Sequence, residues 1–209
     1  MLNFYMTPGS CATGIHILLE ELELVFSANI VNLVKGDQRT PEFLAINPRG
    51  TIPVLVLDDG TALTSFLSIA WWLGKTYPKK QLIPEDTLEQ AKMLDVLSYA
   101  VHQIHGQGFT RIFTPDNYRI GDSDGERQQA LLLEQGKRLV TSGFDWVAGQ
   151  INGKTVCEQF SLADAALFYV EFWADKSDID MPSACVDHYQ SMLTRPAVRQ
   201  VLAEEGYRL

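Results

Sequence analysis

Positive charge is scarce in this sequence, and the shortage excludes two classes of partner. The 209 residues include 17 Lys and Arg against 26 Asp and Glu, for a formal net charge of −9. A nucleic-acid-binding surface needs basic residues to replace the counterions of the phosphates, and an anionic membrane surface attracts the same residues. We therefore expect no nucleic-acid partner and no membrane partner. The acidic excess favours a soluble protein.

Cysteine is also scarce: the chain has only Cys11, Cys157 and Cys185. An odd number in a chain of this length does not indicate a disulfide framework, and no paired Cys/His spacing predicts a metal site. No apolar run approaches the roughly 20 residues that span a bilayer. The N-terminus lacks the basic start and apolar stretch of a secretory signal. These absences favour a reducing, cytoplasmic location.

The first 77 residues alternate between strand and helix patterns. Four strands are predicted from apolar runs and turn residues: 2–6, 25–31, 53–57 and 61–64. Three helices are predicted from helical spacing and helix-start residues: one from Gly14, a short one from Thr40 and one from Ser65. The order β-α-β-α-β-β-α predicts an α/β domain of the thioredoxin-like kind, with a mixed sheet and helices on its faces.

The rest of the chain has no convincing strand pattern. Residues 78–86 (PKKQLIPED) contain two prolines and no periodicity, which predicts a linker. Residues 87–209 are predicted to form an all-α domain, with a long helix through Met93 and Ile104. Ser161 and Asp164 form a capping box, in which the two side chains satisfy backbone N–H groups at a helix start.

Four stretches, in this order, resemble the glutathione transferase family and look closest to its bacterial beta class: TPGSCATGIHILLEEL, RTPEFLAINPRGTIPVL, DDGTALT and FSLADAALF. The resemblance covers essentially the whole chain. It implies a glutathione transferase fold and a detoxification-type enzyme with glutathione as co-substrate and no other cofactor. It also implies a small electrophilic or disulfide substrate and a symmetric homodimer, for which Trp71 and Trp72 allow an exposed patch.

Cys11 follows a Pro-Gly turn and precedes a helix. A thiol at a helix N-terminus has its thiolate stabilised by the positive end of the helix dipole, so the pattern suits a reactive cysteine. A small buried cysteine fits the same residues. In the beta class the matching cysteine lies beside the glutathione sulfur and can form a mixed disulfide with it. Ser10 is the neighbouring hydroxyl and the second candidate.

The Ile52-Pro53 step enters an apolar strand, although proline cannot donate a hydrogen bond to a sheet. On the residues alone, Pro53 is either an ordinary trans proline at a strand start or a cis proline that turns the backbone of Ile52 outward. The resemblance implies the cis form, with the Ile52 backbone binding the cysteinyl part of glutathione.

The segment LSYAVHQIHGQGF resembles the beta-class helix that carries a site histidine, and His105 takes that position. A histidine that titrates near neutrality can position a water or tune a thiolate, and a hydrogen-bonded structural histidine is the alternative. This chain has one more residue between the histidine and the following Gly-Phe than the beta-class helix that it resembles. We expect His102, Phe109 and Phe113 to line an electrophile pocket between the domains, together with Ile112.

Two further segments concern the ends of glutathione. Family members use polar side chains near Lys35 and Gln38 for the glycine end, although exposed solvated residues fit the pattern equally. After Thr64 the family has Glu-Ser, Gln-Ser or Glu-Gly to hold the γ-glutamyl end, whereas this chain has Ser65-Phe66. Losing a charge-assisted contact costs about 1.5–3 kcal/mol. Ser65 can still cap the helix, and Phe66 adds bulk where family members carry a small residue.

Two hypotheses of function follow. The first is a glutathione-using enzyme that catalyses conjugation, thiol transfer or disulfide reduction through a site at Cys11. The second is a fold relative with weak or no glutathione binding, which acts as a binding or regulatory protein, and it is motivated by the Ser65-Phe66 departure.

Overall fold

The structure is a computed structural model that describes residues 1–119, 121 and 125–208. Its first part contains β1 (Leu2–Met6), α1 (Ala12–Glu21), β2 (Phe26–Ile30), α2 (Pro41–Ile46), β3 (Val54–Val56), β4 (Ala62–Leu63) and α3 (Phe66–Thr76). Its second part contains α4 (Thr87–Tyr99), a π-helix (Ala100–Phe109), α5 (Thr110–Phe113), α6 (Gly125–Ala148), α7 (Leu162–Lys176), α8 (Ser183–Leu193) and α9 (Pro196–Glu204). The predicted order of strands and helices is confirmed.

The sheet is mixed, with the strand order β2-β1-β3-β4. β1 pairs in parallel with β2, so that Phe4 stands beside Ala28, and it pairs antiparallel with β3, so that Phe4 stands beside Leu55. β3 and β4 form the predicted antiparallel hairpin. The thioredoxin-like domain followed by a helical domain is therefore confirmed as the fold.

Two of the three helix starts that the sequence predicts in the first domain are built by local side chains, whereas α1 begins at Ala12, before the predicted Gly14, and has no side-chain cap. Thr40 precedes α2 and accepts a hydrogen bond from the Phe43 amide. Ser65 precedes α3 and accepts one from the Ser68 amide at 3.2 Å. Such caps satisfy N–H groups that have no partner inside the helix, which is why these short polar residues locate the helix starts correctly.

The long helix predicted through Met93 and Ile104 is present, but it is α-helical only as far as Tyr99. The chain continues as a π-helix from Ala100 to Phe109, in which each turn is wider by about one residue. His105 lies within this segment. π-helical segments occur frequently at functional sites.

The two domains share one hydrophobic core, in which α1 packs against α7 and α9. Gly14 permits the close approach of α1 to α7, because a Cβ atom there would lie 2.6 Å from the carbonyl oxygen of Ala165. No helix in the described ranges has the length and apolar character needed to cross a membrane.

A buried polar cluster joins the start of α7 to α8. Asp164 accepts hydrogen bonds from the amide and hydroxyl of Ser161, each at 2.7 Å, and from the Val156 amide at 2.7 Å. His188 lies between Asp164, at 3.1 Å, and Glu171, at 2.7 Å, and all three side chains are fully buried. Burial alone would lower the pKa of His188, but the two carboxylates raise it to about 10.

We expect Asp164→Asn to lower the free energy of unfolding by about 3 kcal/mol, because the buried charge of His188 loses a partner. The asparagine side chain would also point an N–H donor at one of the backbone N–H groups from which the carboxylate now accepts a hydrogen bond. Chemical denaturation measures the change. Asp86→Asn is the matched control: Asp86 is an exposed cap of α4, where asparagine caps as well as aspartate, so its effect should be small. Equal effects of the two changes would contradict this role for Asp164.

Candidate active site

Cys11 ends the loop between β1 and α1 and directly precedes the first residue of α1. Its side chain is half-buried, and its Sγ lies 3.8 Å from the carbonyl oxygen of Ile52. The Ile52–Pro53 peptide bond is cis, which confirms that prediction. The structure therefore brings together two of the predicted site residues, although 41 positions separate them in the chain.

The loop before Cys11 is held from the helical domain through both backbone groups of Gly9. The Gly9 amide donates to Glu205 Oε2 at 2.7 Å, and the Gly9 carbonyl accepts from the Trp173 indole at 2.7 Å. Gly9 has a positive φ of 71°, and a Cβ atom there would collide with the Tyr207 hydroxyl. Only glycine fits this position without a shift of the helical domain.

Sequence reasoning missed Trp173, Glu205 and Tyr207. Their partners lie more than 160 residues away, and no local pattern marks such contacts. Glu205 is nearly buried and also accepts from the Thr13 hydroxyl at 2.7 Å, so one carboxylate ties the loop and the first turn of α1 together.

Ser10 is used within the loop. Its hydroxyl donates to the Thr7 carbonyl at 2.6 Å and accepts from the Ala12 amide at 3.1 Å. With its donor and one acceptor position occupied, Ser10 supports the turn that positions Cys11, and its predicted catalytic role stays a prediction.

The prediction of a stabilised Cys11 thiolate is wrong for the free protein. Burial raises the pKa of the Cys11 thiol to about 12, although the amides of Cys11 and Ala12 act in the opposite direction. The neighbouring Ile52 carbonyl oxygen accepts a hydrogen bond from the thiol and offers nothing to a thiolate. Cys11 is therefore a protonated thiol at neutral pH when no ligand is bound.

His105 and Tyr169 form a polar pair at the domain interface, where Phe66 packs on the Tyr169 ring. His105 Nδ1 lies 3.2 Å from the Tyr169 hydroxyl. Burial, with a smaller contribution from His102, lowers the pKa of His105 to about 4, so the imidazole is neutral at pH 7. Burial and the nearby Cys11 raise the pKa of Tyr169 well above its usual value. Both groups are therefore neutral at pH 7, and Tyr169 lies close enough to Cys11 for the thiol to affect its pKa.

Aromatic rings form a wall beside His105. Trp173 packs edge-on against His105 with ring centres 4.9 Å apart, and edge-on against Phe109 and Phe113 at 5.3 and 5.4 Å. Phe109 is fully buried, whereas Phe113 is half exposed and presents an apolar surface. His102 lies on the exposed side of the π-helix, where its Nδ1 is 3.2 Å from the Ser98 hydroxyl. His102 therefore does not share the wall with His105.

Lys35 and Gln38 lie in the segment between β2 and α2. Lys35 is exposed, and Gln38 is half-buried with a buried Oε1 atom that has no hydrogen-bond partner in the described part of the chain. Within the described residues, neither makes a hydrogen bond to Cys11 or Ile52. Their predicted contact with the glycine end of glutathione stays a prediction.

Ser65 and Phe66 point in different directions. The Ser65 hydroxyl caps α3 and lies 2.9 Å from the Ser68 hydroxyl at the surface. Phe66 is only 4% exposed, and its ring packs against Tyr169 at 5.4 Å and over Gly14. The bulk of Phe66 therefore fills the core between the domains, and it adds little to an open ligand surface.

Comparisons with known proteins agree with this arrangement. The sequence profile of the family "Glutathione S-transferase, N-terminal domain" matches residues 9–76. Glutathione S-transferase GstA of Escherichia coli O157:H7 is 30% identical over 216 residues, covering 99% of this chain and 100% of the relative.

Solved structures agree over the same length. A glutathione transferase homologue from Sulfitobacter with bound glutathione has a TM-score of 0.89 and 27% identity, covering 98% of each chain. A bacterial beta class glutathione S-transferase from Sphingomonas chungbukensis has a TM-score of 0.79 and 27% identity, covering 99% of this chain and 100% of that one. This chain is thus similar to such proteins in both of its domains.

The raised pKa of Cys11 predicts how its alkylation depends on pH. The rate with iodoacetamide should rise about tenfold per pH unit from neutrality to about pH 9.5, because the thiolate fraction rises tenfold per unit below the pKa. Mass spectrometry of the Cys11 peptide measures the rate. Buried Cys157 and Cys185 are internal controls that should react more slowly. A rate that levels off below about pH 8 would show a lowered pKa instead.

Proposed function

The chain belongs to the glutathione transferase family, and on this premise we propose that it is an enzyme in which Cys11 lies beside the sulfur of bound glutathione. The observation that carries the proposal is the approach of Cys11 Sγ to the Ile52 carbonyl at the start of α1. The backbone of Ile52, next to the cis proline, would pair with the cysteinyl part of glutathione. The glutathione thiol would then lie at the positive end of the α1 dipole.

The two ends of glutathione would be bound by different groups and with different strength. The γ-glutamyl carboxylate would accept hydrogen bonds from backbone N–H groups at the N-terminus of α3, where the Ser65 hydroxyl, now bonded to Ser68, would have to turn to contact it. Its ammonium group would lack the acidic partner that family members supply. The glycine carboxylate would lie towards Lys35 and Gln38. We therefore expect glutathione to bind, but more weakly than it would with an acidic residue at position 65.

We propose conjugation as the principal reaction. Cys11 is protonated in the free protein, so its S–H can donate a hydrogen bond to the glutathione thiolate. That thiolate attacks a small electrophile, its electron pair forms the new carbon–sulfur bond, and the leaving group departs with the displaced pair. The proton released when the glutathione thiol ionises passes to solvent, because the lowered pKa of His105 makes its imidazole a poor proton acceptor at pH 7. The half-exposed ring of Phe113 offers an apolar surface to the electrophile.

Disulfide exchange is the second candidate, because Cys11 is the one described cysteine whose side chain keeps part of its surface exposed. In this reaction the Cys11 thiolate attacks a small disulfide substrate, forms a mixed disulfide with one half of it and releases the other half as a thiolate. A glutathione thiolate then attacks the sulfur of the substrate half in this mixed disulfide, forms a glutathione–substrate disulfide and returns Cys11 to its reduced form. The raised pKa of Cys11 makes this slower than conjugation at neutral pH.

The remaining expectations of the family are proposals for this chain. They are a reaction without a cofactor other than glutathione, a role in detoxification, a cytoplasmic location and a symmetric homodimer. Trp71 and Trp72 are half-buried, with Lys75 over the ring of Trp71, so they offer only part of their surface to a second copy. Nothing in the comparisons favours the alternative of a binding or regulatory protein.

Substitutions of Cys11 distinguish a role of its thiol as a hydrogen-bond donor from a role as a nucleophile. Cys11→Ser keeps a donor and should retain most of the conjugating activity, whereas Cys11→Ala should lose roughly tenfold in kcat/KM, because one charge-assisted hydrogen bond disappears. The kcat/KM of glutathione conjugation to an aromatic electrophile measures this. Cys11→Ala should also raise the apparent pKa of bound glutathione in the pH–rate profile. If serine and alanine lower activity equally, the donor role is wrong.

Glutathione titration by calorimetry tests the proposed function itself. Wild type should bind, and Ser65→Glu should bind about tenfold more tightly, because a carboxylate beside the γ-glutamyl ammonium supplies a charge-assisted contact. Ser68→Glu is the matched control, since it adds the same charge to an exposed position one turn further along α3. Absence of binding at about 10 mM glutathione would overturn the glutathione-dependent function.

A further inference from the structure

A cluster of three potential metal ligands lies where α1 meets α9, on the side of α1 opposite to its packing on α7. His16 and Glu20 are one turn apart on α1, and Glu204 is the last residue of α9. One ligand atom of each residue lies within 4.8 Å of one ligand atom of the others. Two elements that are distant in the sequence thus present an imidazole and two carboxylates to one point.

The orientation of His16 leaves its Nε2 atom facing this cluster. The residue is only 3% exposed, and its Nδ1 lies 3.0 Å from Glu205 Oε1. An ionised carboxylate can only accept a hydrogen bond, so Nδ1 donates to Glu205. Nε2 has no hydrogen-bond partner within the described residues, although Glu204 Oε2 is 3.2 Å away. A buried ring nitrogen without a hydrogen bond therefore faces a carboxylate.

The two carboxylates are held together by a neutral side chain. Gln200 Nε2 donates to Glu20 Oε2 at 2.9 Å and to Glu204 Oε1 at 3.0 Å, which holds the two side chains side by side. In the part of the chain that the structure describes, no Lys or Arg forms an ion pair with Glu20 or Glu204. Placing two such carboxylates together is unfavourable unless a positive charge compensates them.

We propose that His16, Glu20 and Glu204 bind a divalent first-row ion of the Zn²⁺ type. Imidazole nitrogen and carboxylate oxygen suit this class of ion, and three protein ligands leave a fourth position for water. The 3.2 Å between His16 Nε2 and Glu204 Oε2 matches the edge of about 3.3 Å of a tetrahedron with bonds of about 2.0 Å. Glu205 supplies the carboxylate that orients a metal-bound histidine from behind.

The ion would link α9 to α1, because Glu204 lies on α9 and His16 and Glu20 lie on α1. The Glu204 side chain is 47% exposed, so solvent ions can reach the cluster without unfolding. Because Glu205 binds both His16 and the Gly9 amide, the ion would lie one side chain away from the loop that carries Cys11.

Metal titration of the full chain, without an affinity tag and stripped with a chelator, tests the proposal. Competition with a zinc-binding dye measures the dissociation constant and stoichiometry, and thermal unfolding with and without Zn²⁺ provides a second measurement. We expect one Zn²⁺ per chain and a higher melting temperature with the ion. Co²⁺ should give the visible absorption of a nitrogen and oxygen site, without the near-ultraviolet band of a thiolate ligand.

Four variants locate the site. Glu20→Gln and Glu204→Gln should each weaken Zn²⁺ binding roughly tenfold or more, because each removes one ligand charge. Glu21→Gln is the matched control: it removes the same charge one position along α1, where the carboxylate faces Arg195 instead. Cys11→Ser should leave the affinity unchanged, which excludes binding by the thiol.

Three results would overturn the proposal. They are no binding at about 1 mM Zn²⁺, equal affinities in Glu20→Gln and Glu21→Gln, or loss of binding in Cys11→Ser. None depends on glutathione, so the metal site and the glutathione-dependent function can fail separately.

Discussion

The candidate site depends on the two hydrogen bonds by which the helical domain binds the backbone of Gly9. The amide is bonded to Glu205 and the carbonyl to Trp173, so both free groups of this peptide are satisfied by the helical domain. Each bond is buried or half-buried, where an unsatisfied backbone group costs about 1–3 kcal/mol. Because Cys11 follows two residues later, its distance from the Ile52 carbonyl depends on how the second domain packs against the first.

The parts of the fold that could be predicted are those that depend on neighbours in the sequence. Helix caps at Thr40, Ser65 and Ser161 act within three residues, and the turn at Asp58-Asp59-Gly60 sets a hairpin by its own backbone preferences. The contacts of Glu205 and Trp173 with Gly9 span more than 160 residues, and nothing in their surroundings marks them. The helix caps and the hairpin turn were therefore predictable from the sequence, and the long-range support of the Cys11 loop was not.

Two departures between expectation and structure have a common physical origin. The helix dipole at Cys11 is a local property, but the burial that raises the pKa of its thiol is created by packing of the whole chain. The same holds for Phe66, which looks like an obstacle in the sequence and is accommodated because Gly14 leaves room beneath it.

The separation of Gly9 from Glu205 also has a consequence for the order in which the protein assembles. During synthesis the amino-terminal domain emerges first and can form its sheet and α1 while the helical domain is still being made. The Gly9 carbonyl and amide, however, lack their partners until Trp173 and Glu205 have been synthesised, which lie 164 and 196 residues further along the chain. In a nascent chain the first domain can therefore fold before the loop that carries Cys11 is fixed in place. Catalytic activity then arises only after the helical domain has been synthesised and has packed against the first domain.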